Sequence, residues 1–159
     1  MKIVMDADCI IKLTKAGLKE DVCKAFSISI PQLVKEEVVD RGKSKNLPDA
    51  FLIEQNVQSG ALTVLSEMRA KKIRGEDEVI LAFRNGGYDA IGSDDRQFIR
   101  HLKAFHIPYV TPAVCIAVMV RQGMMTRESG FANLDALAPY ISDDEYYTVR
   151  LFLERGRKS

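Results

Sequence analysis

The chain has 159 residues, a formal net charge of +1, 47% hydrophobic and 28% charged residues. This composition fits one globular domain, and the near-zero net charge argues against a surface that coats nucleic acid broadly. No apolar run approaches the roughly 20 residues of a membrane-spanning helix, and no secretory signal opens the chain. The three cysteines form no CxxC pair. We therefore expect a cytoplasmic protein without disulfides, structural zinc or membrane contact.

Short apolar runs alternate with amphipathic segments along the chain. The runs predict strands at residues 3–5, 27–30, 62–65, 90–93 and 108–110. Helices are predicted at residues 9–13, 18–26, 32–40, 48–57, 76–84, 96–105, 112–121, 126–137 and 142–155, with a polar loop at residues 42–46. This alternation implies a three-layer α/β/α fold with a mostly parallel central sheet, followed by C-terminal helices.

Two of the predicted strands end on acids. Asp6 follows the run Ile3-Val4-Met5, and Asp94 and Asp95 follow the run at residues 90–93. Ligands of open α/β sheets bind beyond the carboxyl ends of the strands, so these acids are expected at one site. One of the two adjacent acids can cap the following helix and leave the other for a ligand.

Glu37 is the first acid predicted to join them from a helix. With 100° between successive residues, Leu33, Val34 and Val38 define an apolar arc, and Glu37 falls inside this arc. We therefore expect Glu37 to be buried, and a buried carboxylate requires a partner.

A later helix supplies a second candidate acid, Glu78, because that helix has little other polar surface. Glu76 and Asp77 lie in its first turn, where the helix dipole favours acids, so they are interpreted as structural. Carboxylates brought together at one site raise one another's pKa unless a cation neutralises them. Hard divalent ions such as Mg²⁺ prefer oxygen ligands of this kind and can promote phosphodiester cleavage.

Four motifs, MKIVMDADCIIKL, IPQLVKEEVV, GEDEVILAF and IGSDDRQF, resemble in order and spacing the PIN-domain ribonucleases. The resemblance implies an endoribonuclease dependent on Mg²⁺ or Mn²⁺, with RNA as substrate, often the toxin paired with an antitoxin protein. It divides the chain into a PIN-like nuclease domain, residues 1–123, and a helical extension, residues 124–159, packed on it. Carried over, the catalytic residues are Asp6, Glu37, Glu78 and Asp95, and the metal ligands are these four together with Asp94.

An acidic site repels phosphates, so flanking polar and basic residues are expected to help RNA approach. Ser93 stands where the family usually has threonine and keeps its hydroxyl. The predicted substrate-binding residues are Ser93, Arg96, Lys12, Lys71, Lys72 and Arg74. A solvated basic surface is an equally good interpretation of the basic stretch that includes Lys71 and Lys72. Apolar residues of the last two helices also predict a homodimer.

Two other functions compete with this interpretation. A phosphatase of the haloacid dehalogenase type also has D-x-D after its first strand, with Asp6 as nucleophile and Asp8 as acid/base. That function gives Glu37 and Glu78 no role. The other alternative is a non-catalytic PIN-like module that binds RNA or a partner protein.

Overall fold

The computed structural model describes residues 1–66 and 75–156. Within these ranges five strands form one parallel sheet in the order β3-β2-β1-β4-β5. Their bounds are β1 Lys2–Met5, β2 Ser27–Ile30, β3 Leu62–Val64, β4 Ala90–Gly92 and β5 Tyr109–Val110.

The central strand β1 is covered on both faces. Ile3, Val4 and Met5 are all fully buried, although consecutive side chains of a strand point to opposite faces. Helices must therefore pack against both sides of the sheet, which confirms the predicted α/β/α layers. In the sheet Ile3 is aligned with Ile28 of β2 on one side and with Ala90 of β4 on the other.

The strand order reverses direction beside β1. The chain builds outward from β1 through β2 to β3, and then returns to place β4 against the other edge of β1. A crevice forms at such a reversal, beyond the carboxyl ends of the two adjacent strands. The topology therefore brings the residues that follow β1 and β4 to the mouth of this crevice.

The helices agree closely with those predicted. Their bounds are α1 Ala7–Lys15, α2 Lys19–Ala25, α3 Gln32–Lys35, α4 Gly42–Ser44, α5 Pro48–Ser59, α6 Gly75–Gly86, α7 Arg96–Ala104, α8 Pro112–Arg121, α9 Arg127–Leu137 and α10 Asp143–Arg155. A 3₁₀ turn, Ala138–Tyr140, joins the last two. Over the two described ranges, no helix is both long and apolar enough to cross a membrane.

The predicted polar loop at residues 42–46 is only partly correct, because residues 42–44 are helical and the turn is confined to residues 45 and 46. Helix α3 continues through a π-helical segment, Glu36–Arg41, directly into α4. Gly42 allows this continuation, because a Cβ there would lie 2.6 Å from the Cβ of Ala50 in α5. The missing side chain lets the two helices approach closely.

The last two helices share the core of the sheet domain. Leu134 and Leu137 of α9 and Val149 and Leu153 of α10 are buried in the same hydrophobic cluster as β1. Side-chain caps start both helices, because the hydroxyl groups of Thr126 and Ser142 accept hydrogen bonds from their first turns. Residues 124–156 therefore pack on the sheet domain and form no separate core.

Candidate active site

Asp6 lies at the end of the central strand, where β1 gives way to α1. One carboxylate oxygen accepts a hydrogen bond from the Cys9 backbone N–H at 2.9 Å and so caps α1. The other oxygen accepts a hydrogen bond from the Ser93 hydroxyl. The residue is only 7% exposed and forms no ion pair with any residue that the structure describes.

The surroundings of Asp6 disfavour its charged form. Burial raises the pKa of this carboxyl to about 7, against the hydrogen bonds from Ser93 and Cys9, which lower it. The nearby acids Asp8 and Asp95 raise it further. A cation placed beside Asp6 would offset both the desolvation and the repulsion.

Ser93 joins Asp6 to the second strand-end acid, Asp95. Its hydroxyl donates to Asp6 and accepts a hydrogen bond from the Asp95 backbone N–H at 3.2 Å. The Asp95 carboxylate accepts from the Phe98 N–H at 2.8 Å and caps α7. We predicted that Ser93 binds substrate, but it is fully buried, so it positions the two acids instead.

An open cleft of about 380 Å³ lies in front of these acids. It is formed between α1, the α3 helix, the start of α6 and the start of α7. The acids among its described lining residues are Asp6, Asp8, Glu37, Glu76 and Asp95. His101 is also part of the lining.

Glu37 lines the cleft, but not in the way that we predicted from the apolar arc. It is exposed, whereas Val38 and Val39 are both buried. The π-helical segment turns Val39 toward the core together with Val38, and this rotates the buried face away from Glu37. The prediction that Glu37 is buried is therefore wrong, although its carboxylate borders the predicted site.

The two acids of α6 are placed differently from the prediction. Glu78 is buried, and its carboxylate accepts a hydrogen bond from the Leu33 N–H at 3.0 Å, which links α6 to α3. The cleft is lined by Glu76 instead. Two residues apart on a helix, the side chains point about 160° away from each other, so Glu76 and Glu78 face opposite sides of α6. We assigned Glu76 to the helix dipole and so missed its place in the lining.

Asp94 lies outside this cleft, although it precedes Asp95. Its carboxylate pairs with the Lys12 ammonium group at 2.6 Å, and Lys12 also contacts Asp8 at 3.0 Å. Burial opposes the charge on Lys12, but its hydrogen bonds with Asp94 and Asp8 prevail and raise its pKa. Asp94 was predicted to bind metal and Lys12 to bind substrate. In the structure the two groups instead pair with each other inside the protein.

Asp94 and Lys12 line a separate depression, together with Glu145 of α10 and Arg96 at the start of α7. Burial raises the pKa of Glu145 to about 7, and its hydrogen bond with Asp94 acts in the same direction. Arg96 is exposed, which agrees with an accessible cation near the strand ends. The predicted substrate-binding residues Lys71, Lys72 and Arg74 lie outside the described residues.

The acids of the cleft suit a hard divalent ion. Among the described residues, no group of three or more Asp, Glu, His or Cys side chains is arranged to hold a metal ion. Mg²⁺, however, usually keeps several waters and needs only one or two protein carboxylates. Asp6, which is buried and has no cationic partner among the described residues, and Asp95, joined to it through Ser93, provide such a pair.

Open parallel α/β sheets bind their ligands in the crevice at the strand reversal, and in this protein acids line that crevice. A family model described as a PIN domain (DUF3368) matches residues 2–153. The chain therefore belongs to this PIN-domain family, and the match includes α9 and all of α10 except its last two residues. None of the curated proteins compared with the chain matches it significantly.

This membership also decides against the phosphatase interpretation. A haloacid dehalogenase needs Asp6 as a nucleophile and Asp8 as an acid/base. Here both oxygens of Asp6 accept hydrogen bonds, and Asp8 is paired with Lys12. The family and these contacts favour the nuclease class, since PIN domains are generally nucleases.

Proposed function

We propose that this protein is an endoribonuclease that cleaves RNA phosphodiester bonds with Mg²⁺ or Mn²⁺. The observation that carries the proposal is the pair of acids, Asp6 and Asp95, joined through Ser93 at the ends of adjacent strands. Membership of the PIN family supports it, because PIN domains typically use divalent ions. The choice of RNA rests on the resemblance to PIN-domain ribonucleases.

In this proposal Asp6 and Asp95 would hold the metal ion, and Ser93 ties the Asp6 carboxylate to the backbone N–H of Asp95. The bound ion would activate a water molecule and neutralise charge on the scissile phosphodiester. Glu37 and Glu76, at the edge of the cleft, would accept hydrogen bonds from water and orient it. Arg96, exposed beside Asp95, would attract an RNA phosphate to this acidic surface.

Cleavage of a short quenched RNA, compared with DNA of the same sequence and with a small phosphate ester, tests the proposal. We expect cleavage of the RNA with Mn²⁺, no cleavage after chelation, and recovery when Mn²⁺ is returned. Hydrolysis of the small ester alone would favour a phosphatase. RNA binding without cleavage at any metal concentration would favour the non-catalytic module.

Glu37→Gln is expected to weaken Mn²⁺ binding about tenfold to a hundredfold, the usual effect of removing an orienting partner. Because Glu37 is exposed, the melting temperature of the metal-free protein should stay nearly unchanged. Titration calorimetry with Mn²⁺ measures the first effect and a thermal melt the second.

Glu36→Gln is the matched control, since Glu36 precedes Glu37 in the same π-helical segment but is not among the described residues that line the cleft. It should bind Mn²⁺ as the unmodified protein does. Equal losses in the two variants would mean that the charge of this helix acts at long range and that Glu37 has no specific place at the ion.

We also propose that a second protein surface covers part of α10, as a homodimer or as an antitoxin bound to a toxin-like nuclease. Tyr147, Leu151 and Phe152 are 59, 49 and 44% exposed on this helix. Large apolar side chains grouped on one helix favour protein contacts. Sedimentation of the purified chain as a monomer at micromolar concentration would contradict the homodimer.

A further inference from the structure

The ammonium group of Lys12 occupies a position between two acids at the strand ends. It lies 2.6 Å from a carboxylate oxygen of Asp94 and 3.0 Å from one of Asp8. Asp8 also lines the acidic cleft, so the ammonium group lies directly beside the proposed metal site. The Lys12 side chain is only 22% exposed, and that of Asp94 only 10%.

Glu145 of the C-terminal helix α10 lies near this ion pair, because it lines the same depression as Asp94 and Lys12. The Glu145 carboxylate accepts a hydrogen bond from the Ala113 N–H at 3.1 Å at the start of α8. Asp8 and Asp94 thus flank a single ammonium group, and acids placed this closely require a cation between them.

We infer that the Lys12 ammonium group occupies the place that a second metal ion would take between Asp8 and Asp94. The cleft therefore binds only one divalent ion per chain. The inference rests on the proposed function, because it concerns the ion held at Asp6 and Asp95. A second ion between Asp8 and Asp94 would have to displace the Lys12 ammonium group, which already satisfies both carboxylates. Without that ammonium group, Asp8 and Asp94 would be two uncompensated carboxylates at the strand ends, and a hydrated hard cation needs no more than one or two from the protein.

Counting bound Mn²⁺ by equilibrium dialysis tests this inference directly. We expect one ion per chain for the unmodified protein and two for Lys12→Met, which keeps the length of the side chain but removes its charge. Lys12→Arg, which keeps the charge, should bind one. Adding Asp94→Asn to Lys12→Met should return the count to one, because it removes a ligand of the new site.

Lys15→Met is the matched control, because Lys15 belongs to the same helix but is more exposed and lies 4.0 Å from its acidic partner, Asp49. It should leave the count at one. Two ions in the unmodified protein, or one in folded Lys12→Met, would overturn the inference while leaving the proposed nuclease intact. No bound Mn²⁺ in the unmodified protein would overturn both. The count for the unmodified protein keeps the inference testable even if Lys12→Met does not fold.

Discussion

Asp6→Asn should abolish metal-dependent cleavage and, at pH 8 without metal, raise the stability of the protein. The loss of activity should be about a hundredfold or more, since removal of groups that only support a metal ligand already costs 10- to 100-fold. The gain in stability follows from burial, which raises the pKa of Asp6 from 3.8 to about 7 in the folded state.

The size of this effect depends on pH. Between about pH 4 and pH 7 the folded protein keeps the Asp6 proton that the unfolded chain has lost, so the free energy of unfolding falls as the pH rises. The loss is complete above pH 7 and corresponds to roughly 4 kcal/mol at most. Asparagine carries no charge at any pH, so its advantage should appear at pH 8 and disappear near pH 4.

Thermal melts of Asp6→Asn at pH 4.5 and pH 8, with EDTA, measure this difference. Asp40→Asn is the control, because Asp40 is exposed and paired with Lys35, and such pairs contribute little. A metal-free Asp6→Asn protein that melts below the unmodified protein at pH 8 would mean that the hydrogen bonds of the carboxylate outweigh the cost of its burial.

Leu153→Ala should destabilise the protein by about 2–5 kcal/mol, because it leaves a cavity in a packed core. Leu153 is 1% exposed and belongs to the same hydrophobic cluster as the central strand. A loss of this size is a large part of the stability of an ordinary domain. Denaturant unfolding should show one transition that moves as a whole, because α10 and the sheet share one core.

Leu151→Ala is the matched control on the same helix, since Leu151 is 49% exposed. It should change the free energy of unfolding by no more than about 0.5 kcal/mol in the monomer. If Leu153→Ala instead produced a separate early transition, α10 would unfold independently of the sheet, and residues 124–156 would be a detachable unit.

The sheet and its strand-end acids could be predicted from the sequence because each rests on a local pattern. A short apolar run such as Ile3-Val4-Met5 predicts a buried parallel strand, and Asp6 then follows at its carboxyl end. The same reasoning located Asp95 after β4. Parallel pairing makes these ends adjacent without any knowledge of individual side-chain contacts.

The direction in which the acidic side chains of the helices point could not be predicted in this way. The π-helical segment changes the phase of the helix that carries Glu37, and periodicity at 100° per residue contains no sign of it. The choice between Glu76 and Glu78 depends on which side of α6 faces the sheet. The contacts of Lys12 and Glu145 are set by tertiary packing between residues far apart in the chain, which no local pattern describes.

Crystals grown with Mn²⁺ and measured for its anomalous scattering test the central claim most directly. We expect one strong peak in the acidic cleft, in contact with carboxylate oxygens of Asp6 and Asp95, and no peak between Asp8 and Asp94. Absence of any peak in the cleft at saturating Mn²⁺, or a peak only beside Asp94 and Glu145, would contradict the assignment of this cleft as the metal site.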